Sequence, residues 1–335
     1  MLCNEWKEGG LKADAVFDGG GVRGIAHVGA YEVTWKLGYR FQCVAGASAG
    51  AIVASLIAAG YTPAELRQIM ASTDYISFQD KTALARLPII GPILAFAVNN
   101  GVYRGERFRC WLSELLAARG VRTFGDLVNP EHTCDTRYRY KLRVIAADIT
   151  RGVELHLPQD IADYGVTPDS LLVADAVRMS MSIPCFFVPV KLSCAGHTCY
   201  VVDGGLLSSF PVDIFDDGTS DPPWPTFGYK LVDPKACRPH VISGPFSLAQ
   251  ALLATMLGAH DARYIKDHDY IRTVAIPTGD IQSTDFALAH EQVKTLYHAG
   301  KSAATRFFEN WDFEQYKQGY RKKPGISRIE RLNEL

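Results

Sequence analysis

Ser48 lies in Gly46-Ala47-Ser48-Ala49-Gly50, five small residues between a short apolar run (Gln42 to Ala45) and a segment, Ala51 to Ala59, that is apolar on every side. An all-round apolar helix belongs inside a core. The stretch therefore reads as strand, tight turn and buried helix, with Ser48 at the apex. That is the physical content of a G-x-S-x-G elbow. The nucleophile sits on a strained turn, and small neighbours let strand and helix approach. The helix N-terminus behind it offers free N–H groups and a positive dipole end to a developing oxyanion. The same residues also suit a plain glycine-rich turn, so other groups must decide.

The second candidate is Asp18-Gly19-Gly20-Gly21-Val22-Arg23-Gly24, which matches G-x-G-x-x-G literally. A dinucleotide site needs an acidic residue at the end of the following strand. That strand ends at Ala45-Gly46 and delivers Ser48 instead, which disfavours nucleotide binding. Consecutive glycines also leave backbone N–H groups uncovered, as an oxyanion hole requires, and one such donor is typically worth about 3 kcal/mol in the transition state. An ordinary α/β-hydrolase carries such a loop too, but with more strands between loop and serine. The interval from Gly24 to Ser48 fits one helix and one strand, which disfavours that fold.

A base is still needed. His27 falls early in a helix, where packing or capping is its common use, and His240 and His260 have no supporting motif. Asp203, in Val201-Val202-Asp203-Gly204-Gly205, shares the strand-end setting of Ser48; it also suits a simple Asp-Gly turn. Spacing alone does not bring any of these to the serine.

The elements that must position these groups begin with a strand at Asp14 to Phe17, a helix from Ile25 to Leu37, and the strand before Ser48. This βαβ unit predicts parallel strands in a three-layer α/β/α sandwich, with ligands at the carboxyl ends of the strands, where both glycine motifs fall. Thr62-Pro63-Ala64-Glu65 is a capping box. Further helices are expected at 106–118, 171–181, 247–261 and 286–309, and strands at 199–202, 226–232 and 271–276. Arg137, Arg139, Lys141 and Arg143 alternate with Tyr138, Tyr140, Leu142 and Val144. This is expected to be a strand whose basic face either protects an exposed edge from aggregation or meets lipid head groups. Leu87 to Val98 is too short to span a membrane and is broken by Pro88, Gly91 and Pro92. It suits a lid or membrane-dipping patch, or a buried covering loop.

Over 335 residues the chain is 47% hydrophobic and 21% charged, with a formal net charge of −1. That balance gives no global pull toward nucleic acid or anionic lipid. The 8 cysteines form no C-x-x-C pair, so reduced, buried thiols are expected. The N-terminal Met1 to Gly10 has no apolar core, so no secretory signal and a cytoplasmic location are expected. No zinc-ligand cluster or calcium loop is visible, and no metal or cofactor is expected.

DGGGVRG, GASAG and DGG stand in this order together with VIAADITRG (144–152), DAVRMSMSIPCFFVPV (175–190) and DGGLLSSFPVDIF (203–215). Jointly they resemble the patatin-like phospholipase family, whose lipid acyl hydrolases use a Ser–Asp dyad. The resemblance runs from about Ala13 to Ile214, with a weaker echo to about residue 308. It implies a patatin-like sandwich with a mostly parallel central sheet, residues 13–214 forming the catalytic core and 215–335 completing the same domain. It further implies Ser48 as nucleophile, Asp203 as general base, the amides of Gly19, Gly20 and Gly21 as oxyanion hole, and Gly46 and Gly50 as the elbow. Arg23 would stand near a lipid phosphate or brace the glycine loop. The implied substrate is a lipid ester, membrane phospholipid in particular, cleaved at a transient membrane contact by phospholipase A or lysophospholipase chemistry, without nucleic acid. Ser208-Ser209 replaces an Asn common in the family, which touches the local turn and not the dyad. A Ser-His-Asp carboxylesterase using His240, and a non-catalytic lipid-binding module, stay open.

Overall fold

Ala13 to Phe17 are almost wholly buried, as a strand covered on both faces must be, and they lie in the interior of the sheet. The computed structural model describes residues 10–86, 91–132, 136–216, 221–232, 267–281 and 288–321, with residues 242, 244, 251, 255, 283 and 285 between them. In chain order the strands are β1 (Leu11–Phe17), β2 (Tyr39–Ala47), β3 (Gly101–Tyr103), β4 (Leu142–Asp148), β5 (Val153–Leu157), β6 (Cys185–Phe187), β7 (Val190–Cys194), β8 (His197–Asp203), β9 (Thr226–Val232) and β10 (Thr273–Pro277). The helices are α1 (Ile25–Lys36), α2 (Ala49–Ala58), α3 (Pro63–Ser72), α4 (Gly91–Asn99), α5 (Glu106–Ala117), α6 (Val173–Ser180), α7 (Asp267–Tyr270), α8 (His290–Glu309) and α9 (Phe313–Arg321).

The main sheet runs β10-β9-β1-β2-β4-β8-β7, with β5 also on β4. β10, β9, β1, β2 and β4 are mutually parallel, while β5, β7 and β8 pair antiparallel. The expected α/β architecture with a mostly parallel sheet is therefore observed, and strands from beyond residue 214 belong to the same sheet. Asp14 interrupts β1 where its register with β2 shifts. Its carboxylate takes over a ladder bond, accepting from Cys43 N at 2.9 Å and from Trp224 Nε1 at 2.7 Å. Burial raises its pKa to about 7, against these two donors and Arg143, which pull it down.

α1 and α8 pack together on one face of the sheet. α3 opens with the expected box: Glu65 N donates to Thr62 Oγ1 at 3.4 Å and Thr62 N to Glu65 Oε2 at 2.9 Å, with Pro63 in the first turn. On the opposite face a smaller cluster of Val16, Cys43, Ala45, Ala47 and Ile145 is covered by Phe210, Ile214 and Phe215.

Two expectations are corrected. The run from Arg137 is not a strand with a basic face: β4 begins only at Leu142 and is an interior strand, with partners along both edges. Its basic residues serve local contacts instead, Arg139 meeting Asp169 at 3.0 Å and Arg143 donating to the carbonyls of Thr136 and Arg137. The cysteines described are free as expected, but Cys110 is exposed rather than buried. Of the segment 87–98, residues 87–90 lie outside the described residues. The remainder is α4, which packs through Ala95 onto Ala85 and Val102 and leaves Val98 in solvent. The helix expected at 247–261 also lies largely outside them. No helix among the described residues is long and apolar enough to cross a membrane.

Candidate active site

β4 explains how residues 155 positions apart in sequence come together. β5 covers residues 144–148 of β4 along one edge, so β2 and β8 must share the other. Along that edge β2 pairs up to Ala47 opposite Ile145, and β8, running the other way, ends with Asp203 opposite Ala146. The two strands meet head to head. Ser48 follows the last residue of one and Asp203 is the last residue of the other.

Ser48 has φ 51° and ψ −122°, a conformation L-residues rarely hold, between β2 and the first turn of α2. Close packing of α2 forces the turn to be tight. A Cβ on Gly50 would sit 2.1 Å from the Phe17 carbonyl oxygen, and one on Gly46 would sit 2.4 Å from Gly50 itself. Only hydrogen fits at either elbow position.

Ser48 and Asp203 are each only 6% exposed. Burial raises the Asp203 pKa to about 6, while the adjacent Ser48 hydroxyl and the Gly205 amide, which donates to Asp203 Oδ1 at 2.9 Å, pull it down. The Asp203 amide donates to Ser182 O at 3.0 Å, which ties the strand end to the segment after α6. A carboxylate held near neutrality in this way is a much better base than one with an ordinary pKa of 3.8.

The glycine loop leaves β1 and turns into a 3-10 turn at Gly21–Gly24 before α1. It touches the serine: a Cβ on Gly19 would be 3.4 Å from the Ser48 Cβ. Of the three expected oxyanion donors, Gly19 is the one whose amide is engaged within the protein. Its amide donates to Ser209 O at 3.3 Å, because the chain after Asp203 crosses beside the loop and pairs with it. Among the described residues the amides of Gly20, Gly21 and Ala49 have no acceptor. Gly21 has φ +55°, and a Cβ there would fall 1.9 Å from the Ser283 carbonyl oxygen. That carbonyl accepts from Val22 N at 3.0 Å, so a segment far down the chain clamps the loop.

Arg23 braces the loop, its Nε donating to Gly20 O at 3.1 Å and its Nη1 to Thr278 Oγ1 at 3.2 Å. His27 is wholly buried in the first turn of α1. Its Nε2 lies 2.9 Å from Asp18 O, and burial lowers its pKa to about 4. It is thus a neutral imidazole holding the entry of the loop, as the packing reading expects. His240 and His260 lie outside the described residues.

Sequence reasoning missed Ser180, Ser209, Thr278 and Ser283. Ser180 accepts from Ser48 N at 2.8 Å and donates to Ile145 O at 2.5 Å. Its only signal was its place in DAVRMSMSIPCFFVPV. The other three contribute through carbonyls or a single hydroxyl in loops, for which residue type carries almost no signal.

A strained serine elbow beside a buried aspartate on a mostly parallel α/β sheet defines the class, a serine hydrolase-like site without a described histidine partner. The profile of the patatin-like phospholipase family matches residues 15–216, and the chain belongs to that family. The chain is 40% identical over 302 residues to the uncharacterized protein YqhO of Bacillus subtilis, covering 90% of this chain and 99% of that one. It is 26% identical to the probable lipid hydrolase 463L of Invertebrate iridescent virus 6, over 59% of this chain and 61% of the relative. Among solved structures it resembles VipD of Legionella pneumophila, with a TM-score of 0.54 at 16% identity, over 89% of this chain and 67% of that one. At that identity the likeness is one of fold.

Proposed function

We propose that the protein is a serine lipid acyl hydrolase of the phospholipase A or lysophospholipase type, working through Ser48 and Asp203. The observation that carries the reading is the head-to-head meeting of β2 and β8, which sets a strained serine beside an aspartate with a pKa near 6. Family membership and the name of the viral relative, a probable lipid hydrolase, support a lipid ester as substrate.

In the first step the Ser48 hydroxyl attacks the ester carbonyl while Asp203 takes its proton. The oxyanion rests on the Gly20 and Gly21 amides and the Ala49 amide at the start of α2. The tetrahedral adduct collapses, Asp203 returns the proton to the leaving alcohol or lysolipid, and an acyl ester of Ser48 remains. Water then gives a proton to Asp203 and attacks the acyl carbon. Ser48 leaves with that proton, releasing the fatty acid. Arg23, committed to the loop and to Thr278, acts as brace; Gly46 and Gly50 permit the elbow. The exposed apolar end of α4 supports a transient contact with a phospholipid surface.

The deciding experiment is labelling with a fluorophosphonate probe followed by peptide mapping, on wild type and on Ser48→Ala, Asp203→Asn and His240→Ala. Labelling at Ser48 that is lost in the first two and kept in the third is expected. Loss in His240→Ala would install a Ser-His-Asp esterase instead, and an unlabelled wild type inert on every lipid ester would leave a binding module.

A further inference from the structure

The last rung between β2 and β4 is not a backbone hydrogen bond. Val44 N donates to Lys141 O at 2.8 Å. A parallel ladder advances two residues per rung on each strand, so the Ser48 amide would next but one reach the carbonyl of Ile145. In its place the Ser180 hydroxyl is inserted, accepting from Ser48 N at 2.8 Å and donating to Ile145 O at 2.5 Å. Ser180 is fully buried at the C-terminal end of α6. Both hydroxyl roles are committed, which fixes the direction of the chain from Ser48 N–H through Ser180 O–H to the Ile145 carbonyl.

We infer that Ser180 is a positioning residue: its hydroxyl wedges open the end of the β2–β4 ladder, so that the Ser48 turn can lift off the sheet and hold the serine toward Asp203. The inference rests on the proposed hydrolase reading and adds the device that orients its nucleophile. Continued backbone pairing would hold residue 48 in extended geometry, whereas the observed φ is 51°. The wedge satisfies the amide without imposing that geometry. It also takes the Ser48 amide out of the pool of oxyanion donors, leaving that task to the glycine loop and Ala49.

The wedge is itself held rigidly. Arg178, two residues earlier on α6, is buried and donates to Arg104 O at 3.2 Å and to Val188 O at 3.0 Å, and it also bonds the Ser182 hydroxyl. These bonds pin α6 to the residues following β3 and β6, and Ser182 O in turn accepts the Asp203 amide. One short segment, Arg178 to Ser182, therefore sets both partners of the proposed dyad.

The test is the rate of fluorophosphonate labelling at Ser48, with kcat and KM on a soluble short-chain ester, for wild type and Ser180→Ala. Ser180→Cys is near-isosteric but a poor acceptor, and takes the same measurements should the alanine variant not fold. Ser55→Ala is the control: Ser55 is equally buried, about two turns further along α2, and its hydroxyl only donates to Ile52 O at 2.8 Å. A misplaced nucleophile should label about ten- to a hundredfold more slowly. The same loss is expected in kcat, with KM within about twofold, while Ser55→Ala labels at the wild-type rate. Labelling of the Ser180 variant within twofold of wild type overturns the inference. So does an equal slowing in Ser55→Ala at a matched loss of thermal stability, since that reports general loosening. A wild type that is not labelled at Ser48 removes the hydrolase reading itself and is distinguishable from both.

Discussion

Asp203 makes the sharpest forecast, because two properties must change with pH in opposite senses. Burial lifts its pKa from 3.8 to about 6. As a base it works only when ionised. The wild-type kcat/KM on an uncharged short-chain ester should therefore rise with pH, reach half its plateau near pH 6, and fall to about a tenth of it one unit lower. His27, with its pKa near 4 and its bond to Asp18 O, does not titrate in that window.

Stability runs the other way. The folded state holds the Asp203 proton more tightly than the unfolded chain, so between pH 3.8 and about 6 stability falls as pH rises, and the full cost is carried above pH 6. A rise of roughly two units corresponds to about 3 kcal/mol at neutral pH. Asp203→Asn removes the charge while its Oδ1 still accepts from the Gly205 amide. It should unfold several degrees higher than wild type at pH 7.5, with the gap closing by pH 4, and should show no activity limb at pH 6. A flat wild-type profile from pH 4.5 to 8, or an inflection that persists in Asp203→Asn, would refute the assignment of the base. A variant no more stable than wild type at pH 7.5 would refute the desolvation account.

Three further outcomes are expected. Gly21→Ala must place a methyl 1.9 Å from the Ser283 carbonyl oxygen at φ +55°, so the loop shifts; kcat should fall about a hundredfold or more, as when an oxyanion donor is lost, while circular dichroism stays native. Arg272, fully buried, donates to Asp216 at 2.6 and 2.7 Å and to Asp269 at 2.7 Å. Arg272→Met strands those carboxylates and should cost about 3–5 kcal/mol in urea unfolding. Val98, 61% exposed at the end of α4, is an apolar side chain available to a bilayer; Val98→Asp should lower hydrolysis of phospholipid vesicles while sparing a soluble short-chain ester, and equal losses on both would count against a membrane-facing α4.

The local pieces were legible because their physics is local. The elbow needs small residues at 46 and 50, an apolar strand before and an apolar helix after, and all of these are contiguous in sequence. The Thr62–Glu65 box closes over four residues and needs nothing else. The βαβ unit from Asp14 to Ala47 follows from a glycine loop and a helix of the length a crossover requires. By contrast, Arg137 to Val144 alternates strictly and still misled. Alternation reports which way side chains point only once a strand exists, and here the chain turns through residues 136–139 and makes a single bridge at Tyr140 before β4 begins.

The candidate site was less legible, for a reason that lies in the sheet. Nothing in residues 46–50 or 203–205 encodes that β5 occupies one edge of β4 and so drives β2 and β8 onto the other. Yet that crowding is what puts the serine and the aspartate at adjacent rungs. Gly19 differs from Gly20 for a related reason. Its backbone is as bare as that of Gly20, but the chain leaving Asp203 returns past it and claims its amide through Ser209. Where strands end and what crosses them decide which amides stay open. A glycine motif specifies that the backbone is accessible; the topology of its neighbours specifies to whom.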